Sequence, residues 1–133
     1  SETDGGATRM QMQIETDGDL RVLVRDTSVL QWDLYSDASP FTSGVWTHIA
    51  AVFNGTDCVF YADGSLLAST YTTTTDKTSY FNDLPAIDNG RIGDLETVTG
   101  VPVQFFDGSM DKVKIYNKAY TAAEILAEYN NDL

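Results

Sequence analysis

Closely spaced carboxylates have the most direct claim to chemistry in this sequence. Glu15-Thr16-Asp17-Gly18-Asp19 sets three of them at alternate positions, the spacing that puts strand side chains on one face. Two such groups about 5 Å apart, one nucleophile and one acid with separated pKa values, are what retaining glycoside hydrolysis requires. Gly18 interrupts that strand. Asp17-Gly18 is a hairpin-turn signal, so these residues are expected to reverse the chain rather than line a cleft. His48 is the only histidine, and no serine or cysteine sits in a nucleophile-elbow context around it, which leaves a triad without support. Cys58 is the only cysteine; it can form neither an intrachain disulfide nor a paired-thiolate zinc site. Within the apolar run Cys58-Val59-Phe60-Tyr61 it reads as a buried structural thiol. No catalytic residue is assigned, and the chain is expected not to be an enzyme.

Twenty acidic residues against eight basic ones give a net charge of -12, which repels phosphate backbones and anionic headgroups. Nucleic acid is therefore not an expected partner. No apolar run reaches the length of a membrane helix, so membrane insertion is not expected either. Many of the aspartates stand beside Gly, Asn or Ser, as in Asp63-Gly64, Asp88-Asn89-Gly90 and Asp107-Gly108. Turn chemistry accounts for them; oxygen ligands for calcium and the solvation of a halophilic surface are the alternatives. No twelve-residue loop of alternating calcium ligands is present.

Short β-rich runs separated by turn signals must position these groups, a rhythm typical of a sandwich or barrel. At 133 residues one domain spanning 1–133 is expected. Arg9 to Glu15 and Leu20 to Arg25 alternate apolar and polar residues across the Asp17-Gly18 turn and predict a hairpin. Val29 to Leu34 follows, with Leu30, Trp32 and Leu34 on one face. Pro40 and Gly44 bracket a loop. Val45 to Phe53 is apolar on both faces, which predicts a central strand. Asn54-Gly55 and Asp63-Gly64 then link it to Cys58 to Ala62 and to Leu66 to Tyr71 as a meander. Thr70 to Lys77 reads as a twisted strand running into a loop, Phe81 to Gly90 as loop, and Arg91 to Gly93 as a short strand. Val103 to Phe106 and Met110 to Tyr116 read as strands around Asp107-Gly108. Thr121-Ala122-Ala123-Glu124 is a capping box opening a helix, with Ile125, Leu126 and Tyr129 as its apolar stripe.

Three stretches together resemble the laminin G-like, concanavalin A-like jelly roll: Trp46 to Gly55, Val59 to Gly64 and Phe106 to Asn117. The tail Ala119 to Ile125 is similar to the family's closing helix. Order and separation agree over about two thirds of the chain. The resemblance implies an all-β antiparallel sandwich with one short C-terminal helix. It also implies one or more strands ahead of Arg9 to Glu15, which this chain does not offer. The sandwich is then N-terminally incomplete, completed by another segment or chain, or a compact variant.

The resemblance carries further expectations. The tryptophan-x-histidine pattern at Trp46 and His48 is similar to a recurrent strand of the family and implies a structural histidine, satisfied by hydrogen bonds in or beside the core. Asp111 is similar to a late-strand aspartate that, in fold relatives, holds a structural calcium with early-chain carbonyls; a plain strand aspartate is the alternative. Trp32, Tyr35, Tyr71, Tyr80 and Phe81 are aromatics in strand-end or loop contexts, where a ring could stack on a sugar. Tyr71 and Tyr80 are chosen as ligand-binding residues, while Trp32 alternates as core. Asn54-Gly55-Thr56 matches a glycosylation sequon that coincides with a turn. The expected function is recognition of carbohydrate or glycoprotein at an extracellular surface, the resemblance implying an extracellular, cell-surface or virion location. The alternatives are a structural or assembly subunit of a virion, tail fibre or cell-surface array, joined to another protein chain through a sheet edge, and a glycosidase fragment.

Overall fold

The computed structural model describes residues 8–84, 90–96 and 102–132. Seven strands form two antiparallel sheets. The first holds β1 (Arg9–Ile14), β2 (Leu20–Asp26), β3 (Val29–Ser36) and β7 (Ser69–Thr74), in the order β1-β2-β3-β7. The second is the meander β4 (Ile49–Phe53), β5 (Cys58–Ala62) and β6 (Ser65–Leu67). A small ribbon of β8 (Leu95–Glu96) and β9 (Pro102–Val103) and one helix, α1 (Ala122–Asp132), complete the described elements.

Period-two patterning decides which residues go inside. Leu20, Val22 and Val24 of β2 and Trp32 and Leu34 of β3 meet Cys58 and Phe60 of β5 in one buried cluster. Ile49, Ala51, Phe53, Leu67 and Tyr71 close around it. Fixed register keeps these side chains inward, with Val22 opposite both Met12 and Leu34, since a slip of one residue would turn every one of them to solvent. Trp32 is fully buried, and its indole N–H is satisfied by donating to the Ser79 carbonyl at 2.7 Å. Ser36, also buried, accepts the Leu20 N–H on its hydroxyl at 2.9 Å. This is the antiparallel sandwich that the alternation predicts.

Five elements differ from expectation. Of the expected Val103 to Phe106 strand only Val103 is extended, in β9, because Gln104 has φ +54°. The Val45 to Phe53 segment is not a central strand among the described residues: β4 starts at Ile49 and lies at the edge of its sheet, where it pairs only with β5. Pairing begins at Ile49 opposite Ala62, so Val45 and Trp46 project past the end of β5, and Trp46 is 68% exposed. The Leu66 to Tyr71 run is two strands in different sheets. After Leu67 the Ala68 carbonyl accepts the Asp37 N–H, and Ser69 is already opposite Ser36, so the chain crosses layers there. Around Arg91 to Gly93 an Arg91–Asp94 ion pair and the positive φ of Gly93 make a bend, and extended structure starts at Leu95. Met110 to Tyr116 forms no ladder among the described residues. Lys112 has φ +52°, which breaks the extended run, and Lys112 and Lys114 turn to the carboxyl groups of α1 instead.

The helix begins where its capping box predicts. Thr121 Oγ1 accepts the Glu124 N–H, and Glu124 Oε2 accepts the Thr121 N–H at 2.7 Å. Ile125 is buried, and the helix lies on the β5–β6 turn. Gly64 there has φ +74°, and a Cβ would lie 2.8 Å from the Leu126 side chain and 3.1 Å from Tyr129. Glycine thus serves both the left-handed turn and the close approach.

Candidate functional site

Glu15 to Asp19 forms the expected turn, with Glu15 and Gly18 each bonded across it. Asp17 closes the loop on the Asp19 N–H, and Glu15 accepts an N–H from Arg21 Nη1 at 2.9 Å. Arg21 is the hub of a polar network on the outer face of the first sheet, which the sequence reading missed. Its Nε and Nη2 donate to the two oxygens of Asp33 at 2.8 and 2.7 Å, and its guanidinium lies over the Tyr35 ring at 4.8 Å. These bonds to Asp33 and Glu15 push the Arg21 pKa above its ordinary value, against desolvation. Asp33 is 4% exposed. Such a carboxylate on the nominally wet face of a sheet is held there by its bidentate partner. No local sequence signal marks the pair, because strand register makes it: Arg21 and Asp33 lie on adjacent paired strands, two residues out of step.

Tyr71 and Tyr80, chosen from the sequence as ligand contacts, are not in contact but are linked by a chain of rings that runs through the core. Tyr71 meets Trp32 edge-on at 6.2 Å, Trp32 stacks on Phe53, and Phe53 stacks on Tyr80 at 4.3 Å. Phe81 closes the chain edge-on against Tyr80. The Tyr71 hydroxyl accepts the Cys58 N–H at 2.9 Å, and burial raises the phenol pKa of both tyrosines. Burial likewise pushes the Cys58 thiol up to about 12, so at neutral pH it carries no thiolate.

Beside Tyr71 runs an open groove of about 520 Å³ where the two sheets meet at Ala68. Leu34, Leu67 and Tyr71 contribute apolar lining, and Asp37, Asn54 and Asp57 supply the polar lining. Asn54 shapes this rim because its Oδ1 accepts the N–H groups of Thr56 and Asp57 and the Thr56 hydroxyl. The sequon thus lies on a turn, as expected. Lys77 bridges the rim: its ammonium pairs with Asp57 and lies 4.4 Å from the Tyr71 ring centre, and both partners raise its pKa, Asp57 foremost.

Asp111 is not part of this cluster. It is exposed, and its Oδ1 accepts the N–H of Lys112 at 2.8 Å. Among the described residues no three His, Cys, Asp or Glu side chains gather as a metal site, and residues 1–7, within the early part of the chain expected to supply carbonyls, lie outside the described residues. His48 is structural in its packing, its ring lying 5.8 Å from Tyr129 and its backbone tied to Asp63 in both directions. Its Nδ1, however, is buried with no hydrogen-bond partner among the described residues, which corrects the expectation of a satisfied ring.

Comparison with known proteins gives a consistent picture of the fold. Residues 1–126 match the laminin G-type profile described as the concanavalin A-like lectin/glucanases superfamily. Among solved structures, an S-layer domain-containing protein (residues 221–444) from Clostridium thermocellum ATCC 27405 is similar, with TM-score 0.52 and 19% identity over 96% of this chain. The chain spans 59% of that structure's length. No curated protein matches the sequence.

Proposed function

The chain belongs to the concanavalin A-like lectin/glucanases superfamily, and from that membership we propose that it is a non-catalytic module that recognises carbohydrate or glycoprotein at an extracellular surface. The observation that carries this reading is the groove beside Tyr71, an apolar floor with a few converging polar groups, which is the usual build of a small-molecule site. In this reading Tyr71 is the aromatic wall of the groove, and Tyr80, which does not line it, is linked to Tyr71 only through Phe53 and Trp32. Hydrolysis is the weaker reading because Glu15, Asp17 and Asp19, the carboxylates with the alternating spacing, lie in a hairpin turn in which Asp17 bonds the Asp19 N–H and Glu15 pairs with Arg21, not as two carboxyl groups facing each other across a cleft. The cell-surface setting is favoured by the fold likeness to a protein named for its S-layer domain.

A broad glycan screen, confirmed by titration with calcium and with chelator, tests the proposal. Saturable binding is expected, and it should be lost in Ala68→Trp, which fills the groove from an exposed position. Undiminished binding by that variant would place the site elsewhere. Calcium on Asp111 belongs to the same proposal. One carboxylate is too few for the ion, so main-chain carbonyls must complete its shell, and a melt unchanged by chelator would remove it.

One observation favours assembly as a second reading. Residues 104–119 are exposed throughout, with Phe105 71% and Ile115 87% accessible, and among the described residues β4 is an edge strand of its sheet. Apolar exposure of this kind marks contact surfaces, and an unpaired edge accepts a further strand. Stable association with another polypeptide, without glycan binding, is the outcome that would select it.

A further inference from the structure

We infer that the ligand of the groove is an amino sugar, a saccharide whose protonated amine pairs with Asp37 while its ring lies on the apolar floor beside Tyr71; this rests on the recognition reading above. The charges of the groove point to that class. Asp37 and Asp57 both line it, and the one cation at its rim, Lys77, is already paired with Asp57, on a chain whose net charge is -12. Uronic acid and sulfated glycans are repelled by such a rim. The two aspartates also differ. Asp57 is already neutralised by Lys77. Asp37 uses its backbone N–H on Ala68, but its carboxylate makes no hydrogen bond or ion pair among the described residues.

The protein supplies its own precedent for the chemistry. The Lys77 ammonium sits between the Asp57 carboxylate and the Tyr71 ring, the pairing of anion and aromatic face that holds alkylammonium groups. An amine entering the groove meets the same ring and a second carboxylate that lacks a cation. A neutral hexose would leave Asp37 with water, and an N-acetylated sugar has no charge to offer it.

The test titrates the chain with chemically matched oligomers of glucosamine, N-acetylglucosamine and glucose, at a pH where the sugar amine is protonated. Glucosamine oligomers should bind at least about tenfold more tightly than the other two, the worth of one charge-assisted hydrogen bond. Asp37→Asn should abolish most of that preference. Asp107→Asn, an equal loss of charge at an exposed position outside the groove, should leave it intact. Lys77→Met frees Asp57 and should strengthen glucosamine binding. Equal losses in Asp37→Asn and Asp107→Asn would show diffuse attraction and overturn the inference, as would oligolysine binding as tightly as the sugar. Tighter binding of the glucose or N-acetylated oligomer would overturn the amino-sugar assignment and leave recognition standing. Failure of every glycan, in these titrations and in the broad screen, would remove both.

Discussion

Sheet β1-β2-β3-β7 and the stretch from Gln104 to Ala119 carry the same kind of sequence and reach opposite ends. Both alternate apolar and polar residues: Leu20, Val22 and Val24 in one, Val113 and Ile115 in the other. The first set is fully buried, whereas Val113 and Ile115 are 55% and 87% exposed. Alternation makes a segment able to be a strand; a neighbour with free backbone groups makes it one. Leu20 to Asp26 has two such neighbours, while Met110 to Tyr116 has none among the described residues and is interrupted by the positive φ of Lys112. The difference separates a rigid scaffold from a surface available to partners.

The contrast is sharpest in single substitutions. Trp32→Ala empties the middle of the core and orphans the Ser79 carbonyl, so it should cost ~3–5 kcal/mol in chemical denaturation, whereas Ile115→Ala should stay within about 0.5 kcal/mol. A comparable cost at Ile115 would mean that this stretch is packed in solution. Arg21→Met is expected to cost about 2–4 kcal/mol, near the range for breaking buried ion pairs because Asp33 is left buried and uncompensated; Arg21 keeps 21% of its side chain exposed, which holds the effect down. The double variant Arg21→Met/Asp33→Leu should recover most of the loss, and no recovery would contradict the pairing argument.

Smaller effects are expected where helix meets sheet. Gly64→Ala drives a methyl group into Leu126 and strains a left-handed turn, and should cost ~1–2 kcal/mol with fraying of α1 seen by circular dichroism. Thr121→Ala should cost about 1 kcal/mol. The capping box also responds to acid. Lys118, then the Thr121 N–H and hydroxyl, lower the Glu124 pKa from 4.5 to about 2. A carboxyl group depressed on folding stabilises the native state above its unfolded pKa, so this contribution should be lost as pH falls from about 4.5 through about 2. A helix end insensitive to that window would show the box open in solution.

Strands pinned by a turn were the most legible in the sequence. Arg9 to Glu15, Leu20 to Arg25 and Cys58 to Ala62 are near their observed bounds because Asp17-Gly18, Asn54-Gly55 and Asp63-Gly64 pin their ends. Thr121 announced the helix for the same local reason. Position within a sheet was not legible. Val45 to Phe53 has the composition of a central strand, yet two-sided apolarity does not reveal that β5 ends opposite Ile49. The site was half legible: an aromatic ring near acidic turns singles out Tyr71, but no local pattern connects Asp37 to Asp57 or Arg21 to Asp33, since both associations are made by strand pairing and sheet packing.

Titration of the chain with glycans, comparing the unmodified protein with Ala68→Trp, tests the central claim most directly. The account predicts saturable binding to at least one glycan class that disappears when the groove is filled, with the melting temperature of the variant unchanged. Equal binding by both proteins, or no binding by either to any glycan, would contradict it.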